Sequence, residues 1–147
     1  MNNVSIEEAI EKYGVYSCRP MGTSMFPTLD TSRDTVLLRK KDGRLKKYDV
    51  ALYRRPDGTC VLHRVMALEE NGYTMCGDNQ VRLERGVPEE CVFAYLEGIY
   101  RGEKKYVPCD GRAHRAYVRL WCASLFLRGI ALKPLRLIKR LKDNKKH

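Results

Sequence analysis

The sequence predicts a mainly β protein: a coiled antiparallel sheet or partial barrel with a short N-terminal helix and a basic amphipathic C-terminal helix. Three observations predict this class. Short runs of branched and apolar residues follow one another closely along the chain. Tight-turn signals separate them, and closely spaced strands joined by such turns are typical of antiparallel sheets. These signals are Lys41-Asp42-Gly43, Pro56-Asp57-Gly58 and Asn71-Gly72.

The elements can be justified in chain order. Ser5 and Glu8 stand at capping-box spacing, which predicts a short amphipathic helix over 5–13 that ends at Gly14. The chain is long enough for one domain with a hydrophobic core, and we assign residues 1–111 to a β domain and residues 112–147 to a helical tail. Branched and apolar content predicts strands near 15–18, 34–39, 48–54, 59–68, 73–76, 91–100 and 104–107.

The tail carries the whole net charge of +10. Residues 112–147 contain 11 Lys or Arg and one acid, Asp143, whereas residues 1–111 contain 17 basic and 17 acidic residues. From Arg128 onward the basic residues fall on one side of a helix, and most apolar residues fall on the other. Pro134 is expected to kink or split this helix.

Three roles are open for the tail. Its longest uncharged run, Leu120–Leu127, has eight residues, whereas a membrane span needs about 20. A helix lying on an anionic membrane surface fits the pattern. A helix packed on the β domain with a solvated basic face is the alternative. Binding of nucleic acid is not favoured, because the tail lacks the interleaved aromatic residues that stack on single strands.

The six cysteines show neither a Cys-x-x-Cys pair nor a zinc pattern, and residues 1–14 are polar, unlike a secretory signal. Free thiols in a reducing compartment are therefore expected. We predict a cytoplasmic protein, or one attached peripherally to the cytoplasmic side of a membrane. The sequence indicates no cofactor and no metal site.

A shaped loop surrounds Ser24. Residues 22–29 are Gly-Thr-Ser-Met-Phe-Pro-Thr-Leu. Pro27 fixes its own φ and pushes Phe26 toward an extended conformation, while Gly22 permits backbone angles closed to other residues. Such a loop can hold the Ser24 hydroxyl in one orientation, as a nucleophile requires.

The chain also supplies a base and two acids. His63 lies in a predicted strand, Cys60–Met66, and an unperturbed histidine titrates near neutral pH. Asp78 and Glu84 follow it in the chain, and a carboxylate on the second ring nitrogen would orient the imidazole. Serine, histidine and acid together predict an activated nucleophile, but these residue types also serve ordinary structural roles in loops, strands and turns.

Four segments in order resemble the conserved boxes of type I signal peptidases. Ser24-Met25-Phe26-Pro27-Thr28-Leu29 is similar to the nucleophile box. Lys47–Tyr53 resembles the strand that follows it, with Tyr48 in place of the family's glycine. Leu62-His63-Arg64-Val65 resembles the box of the general base. Gly77-Asp78-Asn79-Gln80 resembles the Gly-Asp-Asn-Asn motif. The resemblance covers about residues 19 to 100.

This resemblance implies the β fold of signal peptidases and SOS repressors, and a serine endopeptidase of the Ser-His branch. It implies Ser24 as nucleophile, with its backbone N–H as oxyanion donor, and His63 as general base. The position beyond the Gly-Asp-Asn motif makes Glu84 the orienting acid, with Asp78 as the alternative. Thr23, Met25 and Phe26 would lie near the substrate, a peptide or preprotein bound as an extended strand.

Two other functions stay open. One is a catalytically inactive β module that binds a peptide or partner while the tail docks on lipid or nucleic acid. The other is an autoproteolytic repressor, which would require a lysine base and an attached DNA-binding domain. Neither of these is evident in the sequence.

Overall fold

The computed structural model describes residues 4–146 and consists of one antiparallel sheet with three α-helices and a 3-10 turn. The helices are α1 (Ile6–Tyr13), α2 (Arg112–Cys122) and α3 (Leu125–Asn144), and the 3-10 turn is Glu89–Cys91. The strands are β1 (Val15–Cys18), β2 (Asp34–Lys40), β3 (Val50–Arg54), β4 (Cys60–Glu69), β5 (Gly72–Cys76), β6 (Glu84–Pro88), β7 (Val92–Arg101) and β8 (Lys105–Pro108).

The strands are ordered β1-β2-β7-β3-β4-β5-β6, and β8 pairs with the far end of β7. Every pairing is antiparallel, and the sheet does not close. The predicted class, mainly β with an antiparallel sheet, is therefore confirmed. The N-terminal helix is also confirmed: the Ser5 hydroxyl accepts from the Glu8 N–H, and Gly14 adopts the left-handed conformation that ends α1.

Apolar residues are buried on both faces of the sheet. Strand β3 shows why, since Val50 and Leu52 point to one face while Ala51 and Tyr53 point to the other. The first face packs against α1 and the Ser24 loop. The core on this side includes Ile10, Met25, Leu29, Val36, Leu38 and Leu96. The second face includes Val65, Tyr73, Met75, Val87 and Val92.

Two features differ from the sequence-based prediction. Strand β6 was not predicted, because Glu84-Arg85-Gly86-Val87-Pro88 contains only one branched apolar residue and ends in proline. The tail forms two helices, and α3 continues through Pro134, so of the two expected effects, a kink or a split, Pro134 does not produce the split. The break lies at residues 123–124 instead, where the Ser124 hydroxyl caps α3 by accepting from the Leu127 N–H.

No helix in the described part of the chain is both long enough and apolar enough to cross a membrane.

Tyr48 occupies a backbone conformation that favours glycine. Its φ is +76°, in the left-handed region that other side chains rarely adopt. The Tyr48 N–H donates to the Val65 carbonyl at 2.7 Å, and its own carbonyl accepts from Arg64 Nη1 at 2.7 Å. These two bonds fix the turn before β3 despite a conformational cost of about 1 kcal/mol for a non-glycine residue.

Candidate active site

Ser24 and His63 line one open cavity of about 270 Å³ between the loop before β2 and the start of β4. Met25, Leu29 and Leu62 give part of its wall an apolar character, and Arg55 lies at its border. The two residues are 39 positions apart in sequence, so the fold itself brings the candidate nucleophile and base together. A cavity of this size accommodates one or two side chains of an extended peptide.

The Gly-Asp-Asn segment holds the Ser24 loop in place. The Asn79 N–H donates to the Ser24 carbonyl at 2.9 Å, and Asn79 Nδ2 donates to the Thr23 carbonyl at 3.0 Å. Gly77 passes so close that a Cβ atom there would lie 2.5 Å from the Ser24 carbonyl oxygen. Gly22, with φ of +82°, turns the chain into the loop. The Gly77–Gln80 segment and the Ser24 loop, which resemble two separate motifs in the sequence, are therefore in direct contact in the structure.

His63 is joined to an acid through a tyrosine. Its Nδ1 lies 3.3 Å from the Tyr53 hydroxyl and 4.0 Å from Glu84 Oε2, and Tyr53 donates to Glu84 Oε2 at 2.6 Å. The antiparallel register explains the cluster. His63 pairs with Ala51, and Glu84 pairs with Met75, so all three polar side chains project from the same face of the sheet.

This arrangement fixes the tautomer of His63. The Tyr53 hydroxyl has one proton and donates it to Glu84, so a hydrogen bond across the 3.3 Å between Tyr53 and His63 has Nδ1–H as the donor and the tyrosine oxygen as the acceptor. The second ring nitrogen, Nε2, then has a free lone pair. A neutral imidazole with an unprotonated Nε2 is the form that accepts a proton from a serine.

Burial and charge set the protonation of the cluster. Burial, together with the nearby Arg55 guanidinium, lowers the pKa of His63 to about 4, so the ring is neutral near pH 7. Burial opposes ionisation of Glu84, but hydrogen bonds from Arg55 and Tyr53 hold its pKa below the ordinary value. Burial and the Glu84 carboxylate raise the pKa of the Tyr53 phenol. The base and the acid are thus both unprotonated at neutral pH.

The lowered pKa of His63 predicts a specific loss of stability in acid. The unfolded chain binds the His63 proton at about pH 6.5 and the folded chain only near pH 4, so stability is fully present above pH 6.5 and falls as the pH drops toward 4. We expect the free energy of unfolding to fall by about 2 kcal/mol more than in His63→Asn between pH 7.5 and pH 5. Urea denaturation of both proteins at the two pH values measures this. Equal losses would contradict the lowered pKa.

Asp78 has a different environment from Glu84. It forms a bidentate ion pair with Arg64, with N–O distances of 2.8 and 2.7 Å, and the two side chains are 0% and 1% exposed. Thr28 donates to the same carboxylate, and the Trp121 indole donates to the Asp78 carbonyl at 3.0 Å. Because Arg64 neighbours His63 on β4, its side chain points to the opposite face of the sheet. Of the two acids left open by the sequence, the structure brings Glu84 to His63 and Asp78 to Arg64.

The three predicted substrate-binding residues lie in different places. Met25 lines the cavity, although its side chain is largely buried in the core. Thr23 contributes its carbonyl to the bond with Asn79 and is not part of the cavity wall. Phe26 lies outside the cavity, with its ring centroid 5.4 Å from Lys139 Nζ of α3. The Ser24 loop thus presents only part of its apolar sequence to the cavity.

Ser24 Oγ has no hydrogen-bond partner among residues 4–146. Among the hydrogen bonds of residues 4–146, none joins Ser24 Oγ to His63, and none uses the Ser24 backbone N–H as a donor. Catalytic hydrogen bonds often form only when the substrate is bound, so this separation is compatible with a resting site. A free N–H next to the serine is the donor that an oxyanion requires.

Tyr53 and Arg55 were missing from the predicted site. Tyr53 lies near the end of β3 and Arg55 directly follows that strand, where the sequence suggests only core and turn residues. Arg55 donates to Glu84 through Nη2 at 2.8 Å and supplies the charge that opposes protonation of His63. The pairing of two predicted antiparallel strands was the available signal, since the 56–58 turn sets Tyr53 opposite Val61 and hence diagonal to His63.

Comparisons of this chain with protein-family models, with curated proteins and with solved structures found no significant match. The function of this chain must therefore be inferred from the geometry of its residues and from its four sequence motifs.

Proposed function

We propose that this chain is a serine endopeptidase that resembles type I signal peptidases of the Ser-His branch. The observation that carries the proposal is the shared cavity, which is lined by Ser24 and by a buried, neutral histidine connected through Tyr53 to Glu84. In this mechanism His63 Nε2 takes the proton of Ser24 Oγ as that oxygen attacks the peptide carbonyl. The proton then passes to the leaving amine, and water releases the acyl group by the reverse sequence.

The roles of the other residues follow from their positions. The Ser24 N–H stabilises the oxyanion, and Tyr53 together with Glu84 stabilises the imidazolium that forms when His63 is protonated. Arg55 holds Glu84 in place and keeps His63 neutral between turnovers.

An extended peptide is the substrate class that fits the sheet. Strand β4 pairs with β3 from Cys60 onward, but its pairing with β5 begins only at Arg64. In the described sheet this leaves the second edge of Cys60–His63 free beside the cavity, where a substrate strand can add by backbone hydrogen bonds. Peptides or preproteins with leader-type segments are the substrates that the resemblance implies. The six cysteines of this chain are free thiols, which supports a location in the cytoplasm or on the cytoplasmic side of a membrane.

The proposal is tested by peptide turnover in two histidine variants. We expect His63→Asn to lower cleavage of a peptide library by about 10²–10⁴-fold, because the general base is lost. His114→Asn is a matched control, since His114 is also buried and also has a pKa lowered by burial, but it lies on α2 and lines a different cavity. Mass spectrometry of the products measures both. Equal activity of His63→Asn and wild type would remove His63 from the mechanism.

A catalytically inactive peptide-binding module is the second candidate. The observation that favours it is the missing hydrogen bond between Ser24 and His63 in the structure. It predicts that the library peptides bind in the cavity and are recovered intact from wild type. The same experiment therefore separates the two functions.

A further inference from the structure

The side of α3 that faces the sheet domain is basic. Arg128, only 2% exposed, donates to the carbonyls of Gln80 and Gly77 at 3.2 and 3.4 Å. Arg136 Nε donates to Asn79 Oδ1 at 2.8 Å, and Lys139 Nζ donates to Asp30 at 3.2 Å. In the alternative of a helix packed on the β domain, the packing therefore holds, but the basic face is not solvated at these residues, which face the loops around Ser24.

The opposite side of α3 is apolar and exposed. At 100° per residue, four large apolar side chains fall within about 60° of one another, diametrically opposite Arg128, Leu132 and Lys139. We call these four residues the apolar stripe: Phe126 (76% exposed), Ile130 (54%), Leu137 (57%) and Leu141 (55%). Leu127 and Ile138 extend it along one side and are also about half exposed or more. No described residue covers this stripe.

Cationic side chains border the apolar stripe on both sides. Lys133 and Arg140 lie along one border, and Lys142 and Lys145 lie along the other; all four are exposed. Within residues 4–146 none of the four takes part in a salt bridge. With one acid among residues 112–147, the surface around the stripe is strongly positive. An apolar band between rows of free cations complements a surface with an apolar interior and anionic headgroups.

We propose that α3 docks on bilayers containing anionic lipids, with its axis in the plane of the interface and the apolar stripe inserted among the acyl chains. The 20 residues of α3 give a contact about 30 Å long. The inference does not depend on the chemistry of Ser24. It does have a consequence for the cavity, because Arg136 binds Asn79, and Asn79 binds the Ser24 carbonyl. The Ser24 loop is thus connected, through Asn79, to the helix that would lie on the membrane.

Vesicle flotation of the full chain tests this docking. We expect wild type to float with vesicles of phosphatidylcholine containing about 30% phosphatidylglycerol, and much less with phosphatidylcholine alone. Phe126→Ser/Leu137→Ser should lower partitioning by about tenfold or more, because both side chains lose apolar contact with lipid. Lys133→Gln/Arg140→Gln should reduce binding to the anionic vesicles by about tenfold and leave binding to neutral vesicles unchanged.

A matched control separates the stripe from general surface hydrophobicity. Tyr13→Ser/Leu68→Ser removes two apolar side chains that are 66% and 49% exposed, away from α3, and should leave flotation unchanged. Unchanged flotation of the stripe variant, or no flotation of wild type with anionic vesicles, would overturn the proposal. A dimer of wild type in sedimentation velocity that the stripe variant abolishes, without vesicle binding, would also overturn it and assign the stripe to a second copy of the chain. Peptide turnover by a non-docking variant in solution would leave the peptidase proposal intact.

Discussion

Ser24→Ala is expected to lower peptide turnover by about 10⁴-fold or more, the largest effect on activity that any single side chain should produce here. The variant removes the oxygen that forms the acyl-enzyme in the proposed mechanism, while the Ser24 N–H and the cavity wall remain. Because Ser24 Oγ has no hydrogen-bond partner among residues 4–146, the fold should tolerate the change. Kinetics on a peptide cleaved by wild type, with thermal unfolding as the check on folding, measure the effect.

A nearby serine provides the control for this loss. Ser32 lies in the same connection between β1 and β2, but its hydroxyl donates to the Asp30 carboxylate at 2.7 Å and lies outside the cavity of Ser24. Ser32→Ala should keep wild-type turnover. If Ser24→Ala cleaves peptides at the wild-type rate, the activity belongs to another group, and the proposed mechanism is wrong.

Asp78→Asn is expected to cause the largest loss of stability, about 3–5 kcal/mol in the free energy of unfolding. The substitution leaves the buried Arg64 guanidinium without its counter-charge and disturbs the bonds from Thr28 and Arg64. The neighbouring α2 should loosen as well, since Trp121 is bonded to the Asp78 carbonyl and Tyr117 to Thr28. Urea denaturation near pH 7 measures the loss.

Glu84→Gln is the matched comparison, because it makes the same chemical change in a carboxylate that is about one-third exposed. We expect it to cost less than about 1 kcal/mol in stability and to lower turnover by about tenfold or more, as His63 loses the charge that stabilises its protonated form. The two acids should therefore separate into one that holds the fold and one that supports His63. A Glu84→Gln variant with full activity, or an Asp78→Asn variant as stable as wild type, would reverse this assignment.

The strands that could be predicted from the sequence are those with clear local signals. β3 and β4 show branched and apolar runs on either side of the Pro56-Asp57-Gly58 turn, and both are confirmed. β6 could not be found in this way, because its pairing with β5 comes from sheet context and only Val87 contributes an apolar side chain to the core. Local pattern thus predicts strands that carry their own hydrophobic signal and misses those held mainly by a neighbour.

The sequence predicted which serine and histidine belong to the candidate site, but not which side chains contact the histidine. The order of the motifs indicated Ser24 and His63, and they share a cavity. The choice between Asp78 and Glu84 required the fold, because it depends on which sheet face each acid meets. Alternation along β4 contained part of the answer, since adjacent residues His63 and Arg64 must point to opposite faces. Tyr53 could not be predicted, because nothing in the sequence of a strand distinguishes a tyrosine whose hydroxyl positions a histidine from one that only packs in the core.

The orientation of the tail could not be predicted at all. Helical periodicity shows that α3 has a basic side and an apolar side, but it does not say which side meets the domain. The deciding interactions are long-range, because Arg128 and Arg136 reach polar groups of the loop that follows β5. Those partners attract the basic side and leave the apolar stripe outside.

Covalent labelling shows directly whether Ser24 is a nucleophile activated by His63. Wild type treated with a fluorophosphonate at neutral pH should gain one adduct, located on Ser24 by peptide mass spectrometry. Labelling should be absent in Ser24→Ala and much slower in His63→Asn. An adduct on another residue, or no adduct on wild type that retains its fold, would contradict the account.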